Sequence, residues 1–272
     1  MTLEPTLNVD LEDRQALSAS ELVPQVSAAL DAGDAARART LTADLKTPDL
    51  ADVIELLSPD DRVALIQALG AAFDYEVFSE LDETVRDQLS EALPNEFLAK
   101  AATELDTDDA AYLIEGLDAD DRQAVLDQLP TSDREALERN FEYPEETAGR
   151  LMQADFVAVA PFWTVGQVID HMRDTEDLPD QFTEIFVVDP TFRVLGSVEL
   201  SRLLRTKRQV RVDTIMNEDR HVVLASADQE GVARQFERYG LMSAPVVDAE
   251  KRLVGVIKKE DGVGGGKLGT RE

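Results

Sequence analysis

An internal duplication over residues 151–257 constrains the fold of this chain more than any other feature. Residues 151–155 lead into an apolar run and then into a helical pattern, and the same order returns 64 residues later, from residue 215. Residues 185–198 recur in the same way, 59 residues later, as residues 244–257. A repeat this regular predicts two copies of one supersecondary unit that pack on each other.

Each copy reads as strand, helix, strand, hairpin strand and helix. Val-rich runs predict buried strands at 156–160, 185–188 and 194–198 in copy one, and at 221–224, 245–247 and 253–257 in copy two. A closing helix is expected at residues 200–204. In copy two the matching helix is expected to be truncated or missing, because residues 258–261 run straight into glycines.

The region before the duplication, residues 20–142, reads as short helices joined by tight turns. A recurrent phrase places Ser58, Asp82 and Asp118 just before helical patterns that begin with acidic residues. Such side chains can cap a helix by accepting hydrogen bonds from free backbone N–H groups, and the helix dipole favours acids in the first turn. Short helices cannot each bury a core alone, so we expect an all-α superhelical array.

The chain is strongly acidic. It has 56 acidic and 27 basic residues and a formal charge of −29, so nucleic acid and anionic membrane surfaces should repel it while divalent cations should accumulate around it. Acidity that serves only solubility is the alternative explanation. The sequence has no cysteine, which excludes disulfides, thiolate metal sites and cysteine nucleophiles.

Two classes of function find no support in the sequence. No apolar run approaches the roughly 18 residues of a membrane helix and no signal peptide pattern occurs, so we expect a soluble, cytoplasmic protein. No phosphate loop or nucleophile elbow is present, and His171 and His221 are too few for a histidine-based site. We therefore expect a protein that is not an enzyme.

The order of elements, with Val-Val-Asp turns ending at Asp189 and Asp248 and a glycine soon after each, resembles the paired cystathionine β-synthase (CBS) module. The resemblance implies one globular pair that dimerises. Many such modules bind adenine nucleotides through a Ser or Thr and an Asp at fixed places after the glycine. Those places hold Glu199 and Arg202 in copy one, and Lys258 and Asp261 in copy two. Only Asp261 matches, as a ribose ligand, and a carboxylate at Glu199 would repel phosphate.

The segment that connects the helical half to the CBS half makes the resemblance more specific. Residues 142–152 read EYPEETAGRLM and residues 228–234 read DQEGVAR. With a capped helical array before them and CBS units after them, these segments resemble the cytosolic region of the MgtE family of magnesium transporters and channels. The resemblance covers about residues 20–261. It implies a Mg²⁺ sensor in which ions bridge acidic residues of the helical and CBS domains, close a homodimer and hold a transmembrane pore shut.

The resemblance also implies candidate Mg²⁺ ligands. Carried over by position they are carboxylates of both domains and one backbone carbonyl: Glu76, Asp108, Gly149, Asp228, Asp248, Glu260 and Asp261. Near Asp108 the family has an acidic residue where this chain has Tyr112, so that site is expected to be weaker or differently composed. Mg²⁺ should keep most of its water and take one or two carboxylates at each site.

The expected architecture is α+β and multidomain. A flexible segment, 1–19, precedes the helical domain, 20–142, and the CBS pair, 143–261, contains copy one at 150–206 and copy two at 214–261. Residues 262–272 are expected to be a Gly-rich tail or a vector-derived remnant. Two alternatives to the Mg²⁺ sensor stay open: a nucleotide-responsive CBS adaptor that regulates a partner protein, and a helical interaction scaffold.

Overall fold

The computed structural model describes residues 18–175, 178–179, 181–218 and 221–259, and the chain divides into two compact units, Met1–Leu93 and Pro94–Glu272. The predictions for Glu260, Asp261, the tail 262–272 and the closing helix of copy two lie outside the described residues, as does most of the segment 1–19. The division falls inside the helical array, so the last helices of the array belong to the same unit as the CBS pair.

The first unit contains six helices among its described residues. They are α1 (Ala19–Asp31), α2 (Ala35–Thr42), α3 (Thr47–Leu56), α4 (Pro59–Leu69), α5 (Val77–Glu80) and α6 (Glu83–Ala92), with a 3₁₀ turn at Gly70–Ala72. Helix α1 packs on α2, α3 and α4, while α3 packs on α5 and α4 on α6. Their buried faces form an apolar core that includes Val26, Val53, Ile54, Leu65 and Phe78.

The predicted caps are confirmed at two of three helix starts. The Ser58 hydroxyl accepts a hydrogen bond from the Asp61 N–H (3.3 Å), and the Asp118 carboxylate accepts from the N–H groups of Asp120 and Asp121. The prediction is wrong for Asp82, whose side chain makes no capping hydrogen bond. Its backbone N–H instead donates to Glu55 Oε1 (2.7 Å), which ties the start of α6 to α3.

The second unit begins with four more helices of the array. These are α7 (Asn95–Glu104), α8 (Thr107–Glu115), α9 (Ala119–Leu126) and α10 (Thr131–Phe141), and a short helix, α11 (Ala148–Leu151), leads into the CBS pair. Helix α8 packs between α7 and α10, and α10 contacts α11. The helical array and the tandem CBS pair together confirm the predicted fold class.

Each CBS copy is built on a three-stranded sheet. Copy one has β1 (Ala158–Val159), α12 (Val165–Asp174), β2 (Glu184–Val188), β3 (Val194–Glu199) and α13 (Leu200–Leu204); copy two has β4 (Val223–Leu224), α14 (Gln229–Tyr239), β5 (Ser243–Val247) and β6 (Leu253–Lys258). In both sheets the first strand pairs parallel with the second and the second antiparallel with the third. Helix α13 confirms the closing helix expected at residues 200–204.

The first strand of each copy is shorter than predicted. The expected strands 156–160 and 221–224 are reduced to two residues each. The chain before each of them pairs with the opposite copy. Gln153 pairs with Val256 of copy two, and Asn217 pairs with Ser197 of copy one. The two sheets also share an apolar cluster that includes Phe186, Val194, Val247 and Val256. Each copy therefore adds a pairing residue to the hairpin of the other copy, and the two copies form one globular pair.

Candidate functional site

Helix α8 lies against the second CBS copy, and we call the place where α8, α11 and that copy meet the junction. Tyr112 of α8 packs against the apolar core of copy two, which contains Val223, Val232 and Phe236. Helix α11 contacts α14, β4 and β6. The position where the family has an acidic residue near Asp108 thus holds an aromatic side chain that packs against the core of copy two.

Two of the predicted ligands lie on these helices. Asp108 is in the first turn of α8 and only 4% exposed. Gly149 is buried in α11, where its carbonyl accepts a hydrogen bond from Asn140 Nδ2 (3.4 Å). A Cβ on Gly149 would overlap the Tyr143 ring, so the close approach of Tyr143 requires glycine here.

Asp228 belongs to copy two and caps α14. Its carboxylate accepts from the Gly231 N–H (3.1 Å), and its backbone pairs with Thr147, directly before α11. Next to this contact the Gly149 N–H donates to the Ala225 carbonyl (2.8 Å). The fold therefore brings Asp228 close to Gly149, and both are candidate Mg²⁺ ligands.

Asp248 occupies the turn between β5 and β6. Its Oδ1 accepts from the Arg252 N–H (2.8 Å) and its Oδ2 from Arg252 Nε (2.7 Å). Partial burial raises the pKa of Asp248, but the hydrogen bonds and the charge of Arg252 outweigh it and hold that pKa below its ordinary value of 3.8. Asp248 is a carboxylate that stays ionised and already supports a hairpin.

The pKa of Tyr143 is affected by the charge of Asp248. Burial raises the pKa of its phenol above the ordinary value of 10.0, and the negative charge of Asp248 raises it further. The Tyr143 ring also lies directly against Gly149, which is close to Asp228. Tyr143 therefore links the surroundings of three predicted ligands, Gly149, Asp228 and Asp248.

The remaining predicted ligands are placed differently. Glu76 is an exposed residue of the first unit, directly before α5, and its carbonyl accepts hydrogen bonds from Ser79. Glu260 and Asp261 lie outside the described residues. Four of the seven predicted positions, Asp108, Gly149, Asp228 and Asp248, therefore lie on the elements that form the junction.

Two basic side chains at the junction were missed by sequence reasoning. Arg150 Nη2 lies 3.0 Å from Glu115 Oε1, and the Arg150 guanidinium stacks over the Phe141 ring. Lys258 Nζ lies 3.2 Å from Asp106 Oδ2. Each pair joins α8 or its flank to the CBS region. The sequence does not identify their partners: Arg150 lies between Gly149 and Leu151, and Lys258 ends an apolar strand and is followed by Lys259.

The chemistry of the junction suits a hard cation without forming a closed cage. Within the described part of the chain, no group of three or more His, Cys, Asp or Glu side chains is arranged to hold a metal ion. The oxygen donors are carboxylates and a backbone carbonyl, which Mg²⁺ prefers, and Mg²⁺ commonly retains several waters. Asp108, Asp228 and Asp248 could therefore each hold a hydrated ion through one carboxylate.

A pocket of about 230 Å³ lies between the two sheets of the CBS pair. Its wall includes the apolar side chains Phe156, Phe182, Phe186 and Met242, and its charged residues are Asp155, Glu184, Lys258 and Lys259. Burial raises the pKa of Glu184 above its ordinary value of 4.5; the Ser197 hydroxyl partly offsets this and the charge of Glu199 adds to it. The pocket combines an apolar wall with charges of both signs.

Family models match both halves of the chain. The model of the MgtE intracellular N domain matches residues 45–146, and that of the CBS domain matches residues 148–208 and 212–262. In the part of the chain that the structure describes, no helix is both long enough and apolar enough to cross a membrane.

Similar proteins include two curated magnesium transporters named MgtE. The one from Bacillus subtilis is 25% identical over 249 residues, which are 91% of this chain and 55% of the relative. The one from Thermus thermophilus is 37% identical over 119 residues, which are 44% of this chain and 26% of the relative. The chain thus spans about half the length of the Bacillus subtilis relative.

The fold also matches a crystal structure of the cytosolic domain of the Mg²⁺ channel MgtE in complex with ATP. The TM-score is 0.79 at 30% sequence identity, and the match covers 88% of this chain and 98% of that one.

Proposed function

The chain belongs to the MgtE family, and from that premise we propose that it is a Mg²⁺-sensing regulatory region. In this proposal Mg²⁺ binds between acidic residues of the helical array and of the CBS pair and stabilises a closed homodimer. The closed form restrains a transmembrane pore that would be attached to this region. The ion acts here as a signal, and the residues that respond to it are those of this chain.

One observation supports the proposal: α8, which carries Asp108, packs through Tyr112 against the core of the copy that contains Asp228 and Asp248. The pairing of Thr147 with Asp228 brings Asp228 next to the helix that contains Gly149. Carboxylates on α8 and on copy two repel one another when no cation lies between them. A divalent ion replaces that repulsion with attraction to both sides. Because it binds the closed form better than the open form, it shifts the population toward closure.

The partners of this region are part of the proposal. The Bacillus subtilis relative, of which the matched segment is 55%, is named a magnesium transporter, and this supports a pore attached to the CBS pair. The CBS resemblance supports a homodimer through the same pair. Light scattering coupled to size exclusion would measure the dimer directly, and a monomer at all Mg²⁺ concentrations would contradict that part.

The sensor is tested by titrating the chain with MgCl₂ against NaCl of equal ionic strength. Small-angle scattering and limited proteolysis report closure. We expect millimolar Mg²⁺ to reduce the radius of gyration, to slow proteolysis and to raise the Tm, since a ligand that binds only the closed fold stabilises it. If NaCl reproduces all three effects, the acidity serves only solubility and the sensor proposal fails.

The pocket favours a second candidate function, the binding of an adenine nucleotide. Its apolar wall and its two lysines suit a base and an anionic group, and the structural relative described above was crystallised with ATP. Calorimetric titration with ATP and AMP in the presence of a chelator tests this candidate separately. Nucleotide binding with no response to Mg²⁺ would favour the nucleotide-responsive adaptor over the Mg²⁺ sensor.

A further inference from the structure

Lys258 belongs to two sites at once. It is the last residue of β6, and its Nζ lies 3.2 Å from Asp106 Oδ2, at the start of α8. It also lines the pocket between the two CBS sheets. Its side chain is only 12% exposed, whereas that of Asp106 is 45% exposed. A single, largely enclosed ammonium thus contacts the helical array on one side and borders a ligand-sized space on the other.

Among the described residues, the Asp106 carboxylate makes no hydrogen bond other than the one to Lys258. It stands at the N-cap position of α8, yet its carboxylate makes no capping hydrogen bond. Its carboxylate instead accepts a hydrogen bond from Lys258 Nζ, more than 150 residues away in the sequence. The pair therefore tethers the start of α8 to β6, and the other end of α8 is held independently by the Arg150–Glu115 pair.

The charges of the pocket decide what kind of ligand group Lys258 can accept. An anionic group must avoid the carboxylates of Asp155 and Glu184, so it has to lie at the part of the wall formed by Lys258 and Lys259. A lysine ammonium is a compact charge with three donors on a flexible stem, so it can exchange one oxygen partner for another with small movements.

We propose that Lys258 is a shared cation for which Asp106 and a phosphate group of a pocket ligand compete. When a phosphate-bearing ligand occupies the pocket, Lys258 turns to the phosphate and the start of α8 is released from β6. When the pocket is empty, Lys258 holds Asp106. The proposal rests on the second candidate function, nucleotide binding, and it does not depend on Mg²⁺.

The proposal is tested by a double-mutant cycle on ligand affinity, measured by calorimetry in the presence of a chelator. The probes are ATP and, as a phosphate-free control, adenosine. Asp106→Asn removes the competitor, so ATP should bind about two- to fivefold tighter, the range expected for a partly exposed ion pair. Lys258→Met should weaken ATP binding, and in the double variant the effect of Asp106→Asn should vanish. Adenosine affinity should change in none of them.

Two matched controls separate competition from a general change in charge. Glu104→Gln removes the same charge from an exposed position at the end of α7, and it should leave ATP affinity unchanged. Lys259→Met removes the neighbouring pocket lysine and leaves the pair of Lys258 and Asp106 intact. Adding Asp106→Asn to the Lys259→Met variant should therefore still tighten ATP binding.

A second readout follows the release of α8. Amide hydrogen exchange at the start of α8 should rise several-fold in the wild type on addition of ATP and not of adenosine, while Lys258→Met should exchange fast with or without ligand. The proposal is overturned if ATP does not bind, if Asp106→Asn behaves like Glu104→Gln, or if ATP leaves exchange in α8 unchanged. None of these outcomes bears on the Mg²⁺ response, which is measured without nucleotide.

Discussion

Asp189 and Asp248 stand at equivalent turns of the two CBS copies, and only Asp248 is a candidate Mg²⁺ ligand. Asp189 Oδ1 accepts from the N–H groups of Thr191 (2.8 Å) and Arg193 (3.0 Å), while Asp248 accepts from Arg252. The side-chain hydrogen bond from Thr191, followed by the backbone bond from Arg193, lowers the pKa of Asp189 below its ordinary 3.8, as that of Asp248 is lowered. The duplication therefore supplies a matched control for a test of ion binding.

We expect Asp189→Asn and Asp248→Asn to lower the Tm alike, by about 1–3 °C, because each removes a charged acceptor from a hairpin turn. Only Asp248→Asn should also reduce the rise in Tm that Mg²⁺ produces. Thermal melts of both variants with and without MgCl₂ measure the difference. An undiminished Mg²⁺ response in Asp248→Asn would remove that residue from the ligand set.

The same two aspartates predict the sign of the acid dependence. A carboxyl whose pKa is lower in the folded state binds fewer protons there, so it stabilises the fold above its ordinary pKa. That contribution is lost as the pH falls below about 3.8 and through the folded pKa. The double variant Asp189→Asn/Asp248→Asn should therefore show a flatter loss of Tm below about pH 4 than the wild type.

Glu184 should behave in the opposite way. Its folded pKa lies above 4.5, mainly because of burial, so the folded state binds more protons than the unfolded state and stability falls as the pH rises above 4.5. Glu184→Gln should raise the Tm at pH 8 by about 1–3 °C, and the gain should shrink as the pH falls toward 4. Glu199→Gln, at the exposed cross-strand partner, should give a smaller gain. Equal gains would mean that charge density rather than burial is the cause.

Two glycines explain how the CBS copies lock together. A Cβ on Gly196 would lie 2.5 Å from the Asn217 carbonyl oxygen, and a Cβ on Gly255 would lie 2.8 Å from that of Gln153. At both places the incoming chain of one copy crosses the hairpin of the other and forms backbone hydrogen bonds with it. Both glycines are therefore needed for close approach of two backbones.

We expect Gly196→Ala and Gly255→Ala each to destabilise the chain by about 1–3 kcal/mol, because the opposing group is main chain and cannot turn away. Gly231→Ala is the matched control. Its Cβ would meet nothing closer than 3.9 Å and it lies in α14, so alanine there should be neutral or should stabilise by up to about 1 kcal/mol. Urea denaturation of the three variants tests both signs.

At the scale of elements, the sequence predicted what local patterns control. Hydrophobic periodicity and the duplication predicted the helical array, the strand order and helix α13. The pairing of Gln153 and Asn217 with the opposite copy could not be predicted, because periodicity within one copy carries no information about such pairing. The resemblance to a family, and not a local pattern, named Asp108 and Asp228 as candidate ligands. The partners of Arg150 and Lys258 depend on contacts between distant segments.

The whole molecule carries a formal charge of −29, and self-repulsion of that size weakens any compact state. General screening by salt and specific binding of Mg²⁺ both relieve it, so stabilisation by Mg²⁺ alone does not identify a site. At equal ionic strength, for example about 5 mM MgCl₂ against about 15 mM NaCl, screening at distances beyond a Debye length is the same. What differs is the ability of a divalent ion to bridge two carboxylates.

The decisive comparison uses two triple variants with the same change in charge. One neutralises the junction through Asp108→Asn, Asp228→Asn and Asp248→Asn; the other neutralises exposed acids of the same unit through Asp120→Asn, Glu135→Gln and Glu138→Gln. The exposed-acid variant should gain stability in low salt, since it reduces repulsion. In the junction variant the loss of the hydrogen bonds between Asp248 and Arg252 opposes that gain. Only the junction variant should lose the excess response to Mg²⁺ over NaCl in Tm and in radius of gyration. If both triple variants keep that excess, the bridging ions bind elsewhere than at the junction.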